Sequence, residues 1–76
     1  MSRERDGFVR LKELRKKKGI SQLRLATELN TTQNTISRYE TGEREPGITE
    51  LIKLADYFNV SVDYLIGRTE NPNINR

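Results

Sequence analysis

Two short helical patterns separated by a tight turn, between Ser21 and Arg44, most constrain how this chain folds. In the first pattern, apolar residues recur at the i, i+3, i+4 spacing of one helix face, and Ser21 is a favourable N-cap. Asn30 ends this helix because asparagine tolerates the left-handed conformation common at helix ends. Thr32 is the N-cap of a second helix, which runs to Gly42, a typical residue just beyond a helix C-terminus. The sequence therefore predicts two helices joined by a short turn, the outline of a helix-turn-helix motif.

The second of these helices has two chemically different sides. Ile36 lies on its apolar side, and at about 100° per residue the polar side spans roughly 140°. That polar side carries amide, hydroxyl and guanidinium groups and no carboxylate: Gln33, Asn34, Ser37, Arg38 and Thr41. Amides pair with adenine edges, arginine with guanine, and hydroxyls with either. A solvated face more often mixes Glu and Lys, so this composition favours a base-reading surface, with an ordinary polar face as the alternative.

Residues along most of the chain agree in order and spacing with one known family. They are Ile20-Ser21-Gln22, Leu25-Ala26, Leu29, Thr32-Gln33, Ile36-Ser37, Tyr39-Glu40, Gly42, Arg44, Pro46, Leu54-Ala55, Phe58, Val60-Ser61-Val62-Asp63 and Leu65. On these residues, the chain from about residue 8 to 67 resembles the Cro/repressor-type (xenobiotic response element, XRE) helix-turn-helix family. The resemblance implies an all-α, compact five-helix, lambda-repressor-like DNA-binding domain with the helix-turn-helix at helices 2 and 3.

Composition excludes several classes of function. The 76 residues hold 14 Lys and Arg against 11 Asp and Glu, and the net charge of +3 mildly favours a polyanionic partner. Without Cys or His, disulfides, thiol chemistry, Cys/His zinc sites and imidazole catalysis are excluded. We expect no enzyme and no cofactor, because so short a chain has little room for a shielded pocket and no nucleophile–base pair. The lack of a long apolar run and of a signal-like N-terminus predicts a cytoplasmic protein with no membrane partner.

The chain divides into one domain and two ends. Residues 1–6 form a charged lead-in with nothing to bury, which we expect to be flexible. Residues 7–67 form the helical domain, and residues 68–76 are predicted to be a flexible tail or the start of a linker.

Three further helices complete the predicted domain. Helix 1 is expected over residues 8–18 with Phe8 on its apolar face, and helix 5 follows its N-cap Ser61. Helix 4 is expected over residues 48–58, with Gly47 at its N-cap. A broad apolar arc of helix 4 is predicted to face the core: Ile48, Leu51, Ile52, Leu54, Ala55 and Phe58.

Arg15 projects into the apolar face of helix 1. An unpaired charge there costs several kcal/mol, so a partner is needed. Glu40, at the edge of the core face of helix 3, is the best candidate. We therefore expect a structural Arg15–Glu40 ion pair, which the family resemblance also implies; the alternative is that Arg15 extends to solvent.

Residues on both sides of helix 3 are candidates for holding DNA phosphates. Gln22 begins helix 2, where backbone N–H groups and the helix dipole favour an anion. The resemblance further implies that Gln22 contacts the DNA backbone and supports the side chain of Gln33. The ring of Tyr39 lies on the core side, so only its hydroxyl can reach a phosphate. The two glutamates that flank Arg44 weaken the positive potential around its guanidinium. Residues 16–18 are three lysines that either form a solvated face or approach phosphates. The predicted phosphate ligands are Gln22, Thr32, Tyr39, Thr41, Arg44 and Lys17.

These observations predict a sequence-specific, double-stranded DNA-binding transcriptional regulator with helix 3 in the major groove. It would be a repressor, or sometimes an activator. The predicted base readers are Gln33, Asn34, Ser37 and Arg38. Because one helix reads too few base pairs to find an operator, we expect a homodimer on inverted half-sites about 34–36 Å apart. The resemblance and the apolar content place the dimer surface at Val60, Val62, Tyr64 and Ile66.

A protein-interaction module is the alternative from another class of function. Some domains of this kind mainly hold a toxin or an antirepressor, with DNA contact secondary. Leu23, where the family usually has a polar residue, and the apolar C-terminal part of the domain would then form the partner surface. The sequence specifies neither the operator nor the regulated genes.

Overall fold

A computed structural model describes residues 9–73, which form five α-helices and, within that range, no strand. The helices are α1 Val9–Lys18, α2 Gln22–Glu28, α3 Gln33–Thr41, α4 Ile48–Phe58 and α5 Val62–Leu65. Helix α3 lies against α1 and α2, while α5 packs against α1 and α4. The predicted all-α, five-helix architecture is confirmed, with the helix-turn-helix at α2 and α3. The lead-in at residues 1–6 and the predicted start of helix 1 at Phe8 lie outside the described residues.

Three helices begin at a side chain that caps the first turn. The hydroxyls of Ser21, Thr32 and Ser61 each accept a hydrogen bond from the backbone N–H three residues later, at 3.0, 3.2 and 3.0 Å. Each bond satisfies a backbone donor that has no partner within the helix. Helix α4 begins after Gly47, which has no side chain to serve this purpose.

The turn between α2 and α3 is set by one left-handed residue. Asn30 has φ of 62°, and the N–H of Thr31 donates to the carbonyl oxygen of Ala26 at 2.9 Å. The N–H of Asn30 donates to the carbonyl oxygen of Thr27 at 3.2 Å, which completes a Schellman ending. Asn adopts this conformation more readily than other residues except Gly. The chain therefore reverses within a few residues, and α3 begins immediately afterwards.

Every helix contributes at least one fully buried apolar side chain to the core, and the five largest come one from each helix. These residues are Leu11, Leu25, Ile36, Leu54 and Leu65. Each contributes about 1.5–3 kcal/mol through removal from water. Since every helix supplies one of them, no helix can shift without disturbing the common cluster.

Helix α4 buries a narrower arc than the sequence predicts. Leu54 and Ala55 are buried, but Ile48 is 68% exposed and Ile52 is 48% exposed. Ile48 and Ile52 lie at the edge of the apolar arc, which spans roughly 160° at 100° per residue. The prediction that both face the core is wrong, because the neighbouring helices cover the side of the arc that carries Leu54 and leave the side with Ile48 and Ile52 open. The result is an exposed apolar strip on α4.

The C-terminal segment folds back on the helices. The Arg10 guanidinium lies 4.1 Å from the centre of the Tyr64 ring and donates through Nη1 to the carbonyl oxygens of Tyr64 and Thr69, at 3.1 and 3.0 Å. The N–H of Ser61 donates to the carbonyl oxygen of Pro72 at 3.0 Å. We call the three contacts of Arg10, with the Tyr64 ring and with the carbonyl oxygens of Tyr64 and Thr69, the Arg10 clasp. The sequence predicts a flexible tail from residue 68, whereas the structure holds residues 69–72 against α1 and α5.

The N-terminus of α4 has no side-chain cap, and this leads to a prediction about stability. Gly47→Ser is expected to raise the free energy of unfolding by about 0.5 kcal/mol, because the new hydroxyl can cap the helix and the side chain restricts the unfolded chain. The added Cβ lies 3.0 Å from Oε1 of Glu50, a flexible exposed side chain that can move aside. Urea unfolding followed by circular dichroism measures the change.

Gly67→Ser is the matched control for that substitution. A Cβ at Gly67 meets no atom within 4 Å, but the residue has φ of +85°. That conformation costs a non-glycine residue roughly 1–2 kcal/mol, so this variant should be less stable than the unchanged chain. A Gly47→Ser variant no more stable than the unchanged chain would contradict the capping argument.

Candidate nucleic-acid interface

Helix α3 carries the predicted base-reading side chains on its outward side. Gln33, Asn34 and Arg38 are exposed, and Ser37 is half-buried beside them. The opposite side holds Ile36, which is fully buried. Because the core fixes that side, the polar side faces away from the domain. The structure therefore gathers all four predicted base readers on one surface of a single helix, an element that fits the major groove.

The orientation of α3 is fixed by a buried ion pair with α1. Nε of Arg15 donates to Oε2 of Glu40 at 2.6 Å, and Nη2 donates to Oε1 at 3.2 Å. The two side chains are 11% and 3% exposed. Nη1 of Arg15 also donates to the carbonyl oxygen of Ile20 at 2.9 Å. The ion pair expected from the sequence is present, in the two-bond geometry that makes arginine–carboxylate pairs specific.

Gln22 joins this ion pair from the start of α2. Its Nε2 donates to Oε1 of Glu40 at 2.9 Å. The family resemblance implies that Gln22 supports Gln33, but within residues 9–73 no hydrogen bond links the two, and Gln22 binds Glu40 instead. The amide of Gln22 keeps its oxygen and a second N–H, so a phosphate at the start of α2 remains within its chemistry.

The threonines of α3 differ in what their hydroxyls can still donate. The hydroxyls of Thr32 and Thr35 lie 2.9 Å apart, so one of them donates to the other and the second is free to donate outward. The hydroxyl of Thr41 donates to the carbonyl oxygen of Arg38 at 3.1 Å. In this conformation Thr41 has no proton left for a phosphate, which favours Thr32 and Thr35 over Thr41 as phosphate donors.

The two cations among the predicted phosphate ligands are accessible. Arg44 is exposed in the loop after α3, and its backbone N–H donates to the carbonyl oxygen of Arg38 at 3.3 Å. Lys17 is exposed in the last turn of α1, where a positive charge also stabilises the helix dipole.

A groove of about 200 Å³ opens between α3 and α4. Thr35, Tyr39 and Arg44 line one part of it, and Glu50 and Lys53 line another. Burial raises the pKa of the Tyr39 hydroxyl above its usual value, the negative charge of Glu50 raises it further, and Arg44 opposes these effects. The hydroxyl is therefore protonated at neutral pH and can act as a donor.

Three of these groove residues, Thr35, Glu50 and Lys53, are not among the site residues predicted from the sequence. Thr35 falls on the inward side by helical rotation alone, and Lys53 interrupts the apolar pattern of helix 4 like any solvated lysine. Only the packing of α4 beside α3 brings them together. The one available signal was the spacing of Glu50 and Lys53, three residues apart and therefore on one side of the helix.

Within residues 9–73, no helix is both long and apolar enough to span a membrane. Within the same range, no three acidic side chains are grouped so that they could hold a metal ion.

The chain matches a family model described as helix-turn-helix over residues 11–65, and it belongs to that family. It is 46% identical over 61 residues to the HTH-type transcriptional regulator ImmR of Bacillus subtilis. The matched region covers 80% of this chain and 48% of ImmR. It is also 44% identical to the HTH-type transcriptional regulator AnsR of Bacillus subtilis, over 78% of this chain and 51% of AnsR.

A third relative is the cryptic phage CTXphi transcriptional repressor RstR of Vibrio cholerae, 36% identical over 78% of this chain and 53% of RstR. The chain thus spans about half the length of these relatives. The XRE-type resemblance found in the sequence is confirmed, and the family is one of DNA-binding transcriptional regulators, not of enzymes.

The buried ion pair makes a second stability prediction. Glu40→Gln should lower the free energy of unfolding by about 3 kcal/mol, because it leaves the Arg15 charge buried without a counter-charge. Thermal or urea unfolding measures the loss.

Glu28→Gln is the control for charge removal. Glu28 pairs with Arg24 at 3.0 Å on the surface of α2, where the two side chains are 39% and 62% exposed. An exposed pair of this kind contributes about 0–1 kcal/mol, so this variant should change little. Equal stability losses in the two variants would show that the Arg15–Glu40 pair does not anchor α3.

Proposed function

We propose that this chain is the DNA-binding part of a transcriptional repressor that recognises an inverted-repeat operator. The observation that carries the proposal is the outward side of α3, which combines amide, hydroxyl and guanidinium groups on a helix held rigidly by its buried side. The repressor RstR, named among the relatives, supports the direction of regulation.

In the proposed complex α3 lies in the major groove and reads base edges. Gln33 and Asn34 pair with adenine, Arg38 with guanine, and Ser37 with either kind of edge. The half-buried position of Ser37 limits it to the bases nearest the helix. Phosphate contacts then fix the register of the helix along the duplex. The proposed phosphate ligands are Gln22, Thr32, Tyr39, Thr41, Arg44 and Lys17, with Thr41 requiring a rotated hydroxyl.

Size supports a dimer on the operator. The domain measures 29 × 28 × 23 Å. Two copies centred on half-sites one helical turn apart, about 34–36 Å, would leave only a gap that side chains can bridge. Two bound copies would therefore touch, and their contact would join two weak half-site interactions into one.

The dimer surface is proposed at an α4–α5 patch formed by Ile48, Ile52 and Val62. Ile48 and Ile52 are the exposed apolar strip of α4, and Val62, at the start of α5, lines a second groove together with Ile52. Two of the residues expected at this surface are occupied within the chain: Val60 is buried in the core, and Arg10 covers the ring of Tyr64. Ile66 is half-buried and can lie at the border of the patch.

Ile48→Asp tests the α4–α5 patch. Aspartate at the first position of α4 is favoured by the helix dipole, so the domain should stay folded while self-association is lost. Sedimentation equilibrium of the free protein gives the result. Leu23→Asp is the control, since Leu23 is 59% exposed on α2, outside the patch. Dimers that survive Ile48→Asp, or that are lost only with Leu23→Asp, would move the interface elsewhere.

Selection of binding sites from a random duplex pool tests the function itself. We expect an inverted repeat, bound at least roughly 10³ times more tightly than random DNA. Recovery of no motif, with weak binding that vanishes as salt rises, would mean that DNA contact is incidental. The exposed Leu23 would then point to a protein-interaction module with a toxin or an antirepressor as partner.

Arg38→Ala tests base reading at a single position. It should weaken operator binding by about 1–3 kcal/mol and relax the preference at one base pair, because one arginine–guanine contact is lost. Affinities for the selected operator and for all substitutions at each position measure this. An equal loss for every sequence would assign Arg38 to a phosphate.

A further inference from the structure

We propose that the groove between α3 and α4 binds one phosphodiester of the DNA backbone, held by Arg44 and Lys53 and by the hydroxyls of Thr35 and Tyr39. The inference rests on the proposed function. It adds Lys53 to the phosphate ligands and makes Thr35, in place of Thr32, the hydroxyl of that pair that donates to a phosphate. It also assigns Glu50 the role of a counter-charge that limits affinity.

The charges of the groove fit a phosphodiester. Arg44 and Lys53 line it as exposed cations, and among residues 9–73 neither forms an ion pair. Glu50 lines the same groove, and in that range it too is outside any ion pair. The three side chains sum to a charge of one positive unit. A phosphodiester carries one negative charge, so a single backbone phosphate balances the site.

Neutral donors complete the site. The hydroxyl of Thr32 accepts the N–H of Thr35 at 3.2 Å, and it lies 2.9 Å from the hydroxyl of Thr35. When Thr32 donates along that contact, the proton of Thr35 is free to point into the groove. Tyr39 is buried and lines the groove, and its hydroxyl stays protonated as shown above. Two cations and two hydroxyl donors match the oxygens of a phosphodiester, which only accept hydrogen bonds.

The position of the groove suits this ligand. It runs beside α3, and Thr35 belongs to the same helix as the base readers Asn34 and Arg38. A helix seated in the major groove has the phosphates of a strand along each flank. The Arg15–Glu40 pair and Gln22 occupy one flank of α3, and this groove occupies the other. Two phosphate contacts on opposite flanks would fix the rotation of α3 in the major groove.

Lys53→Gln is the decisive variant. It should weaken binding to the selected operator and to random duplex by the same factor, roughly tenfold at low salt. It should also reduce the slope of log affinity against log salt by about 0.9, the loss of one phosphate contact. Glu50→Gln should tighten binding to both duplexes several-fold, because it removes the counter-charge.

Arg68→Gln is the matched control. Arg68 is exposed, lies beyond α5, and reaches Asp63 only at 4.0 Å, so this variant removes one positive charge away from the groove. It should leave both affinities within about twofold. Unfolding curves of the three variants confirm that each is folded, since all three positions are exposed.

The possible results separate this inference from the proposed function. A Lys53→Gln effect no larger than that of Arg68→Gln would overturn the phosphate site while the unchanged chain still bound its operator. A loss confined to particular sequences would also overturn it, since a phosphate ligand does not discriminate bases. Failure of the unchanged chain to prefer any duplex would overturn both proposals together.

Discussion

One carboxylate, that of Glu40, holds α3 in place. It accepts hydrogen bonds from Arg15 on α1 and from Gln22 at the start of α2, so three helices meet at two oxygen atoms. A buried ion pair is not an efficient source of stability, since apolar residues of the same volume often do as well. The ion pair does, however, form hydrogen bonds of fixed direction, which apolar packing lacks. Rotation of α3 about its axis would break several of these bonds at once, and the direction of its outward side depends on them.

Helix α3 combines three tasks in nine residues. Ile36 anchors it in the core, Glu40 fixes its rotation, and the remaining side chains face outward or into the groove beside α4. So short a helix would not be stable alone in water, and it exists because the rest of the domain holds it. Under the proposed function, base recognition and folding are linked: a substitution on the buried side would change DNA binding by moving the outward side, even though it would touch no base.

Local rules explain why much of the fold could be predicted from the sequence. Capping hydroxyls such as that of Ser61 and left-handed residues such as Asn30 act within a few residues, and the structure shows them where expected. The Arg15–Glu40 pair was predictable because a charge on an apolar face requires a partner. The exposure of Ile48 and the burial of Val60 could not be predicted from the sequence, because they depend on how far neighbouring helices reach across an apolar arc. Which residues read bases and which hold phosphates stays a prediction, since it depends on the DNA.

The Arg10 clasp changes the effective length of any linker. The clasp holds Thr69 by its carbonyl oxygen, and Glu70 adds an exposed ionic contact at 3.4 Å. Residues up to Pro72 thus count as part of the rigid body. Where a further domain follows such a chain, its tether starts at the face shared by α1 and α5, seven residues later than the end of α5 implies. The reach of a flexible tether grows with the square root of its length, so a shorter tether keeps the attached domain closer and raises its local concentration.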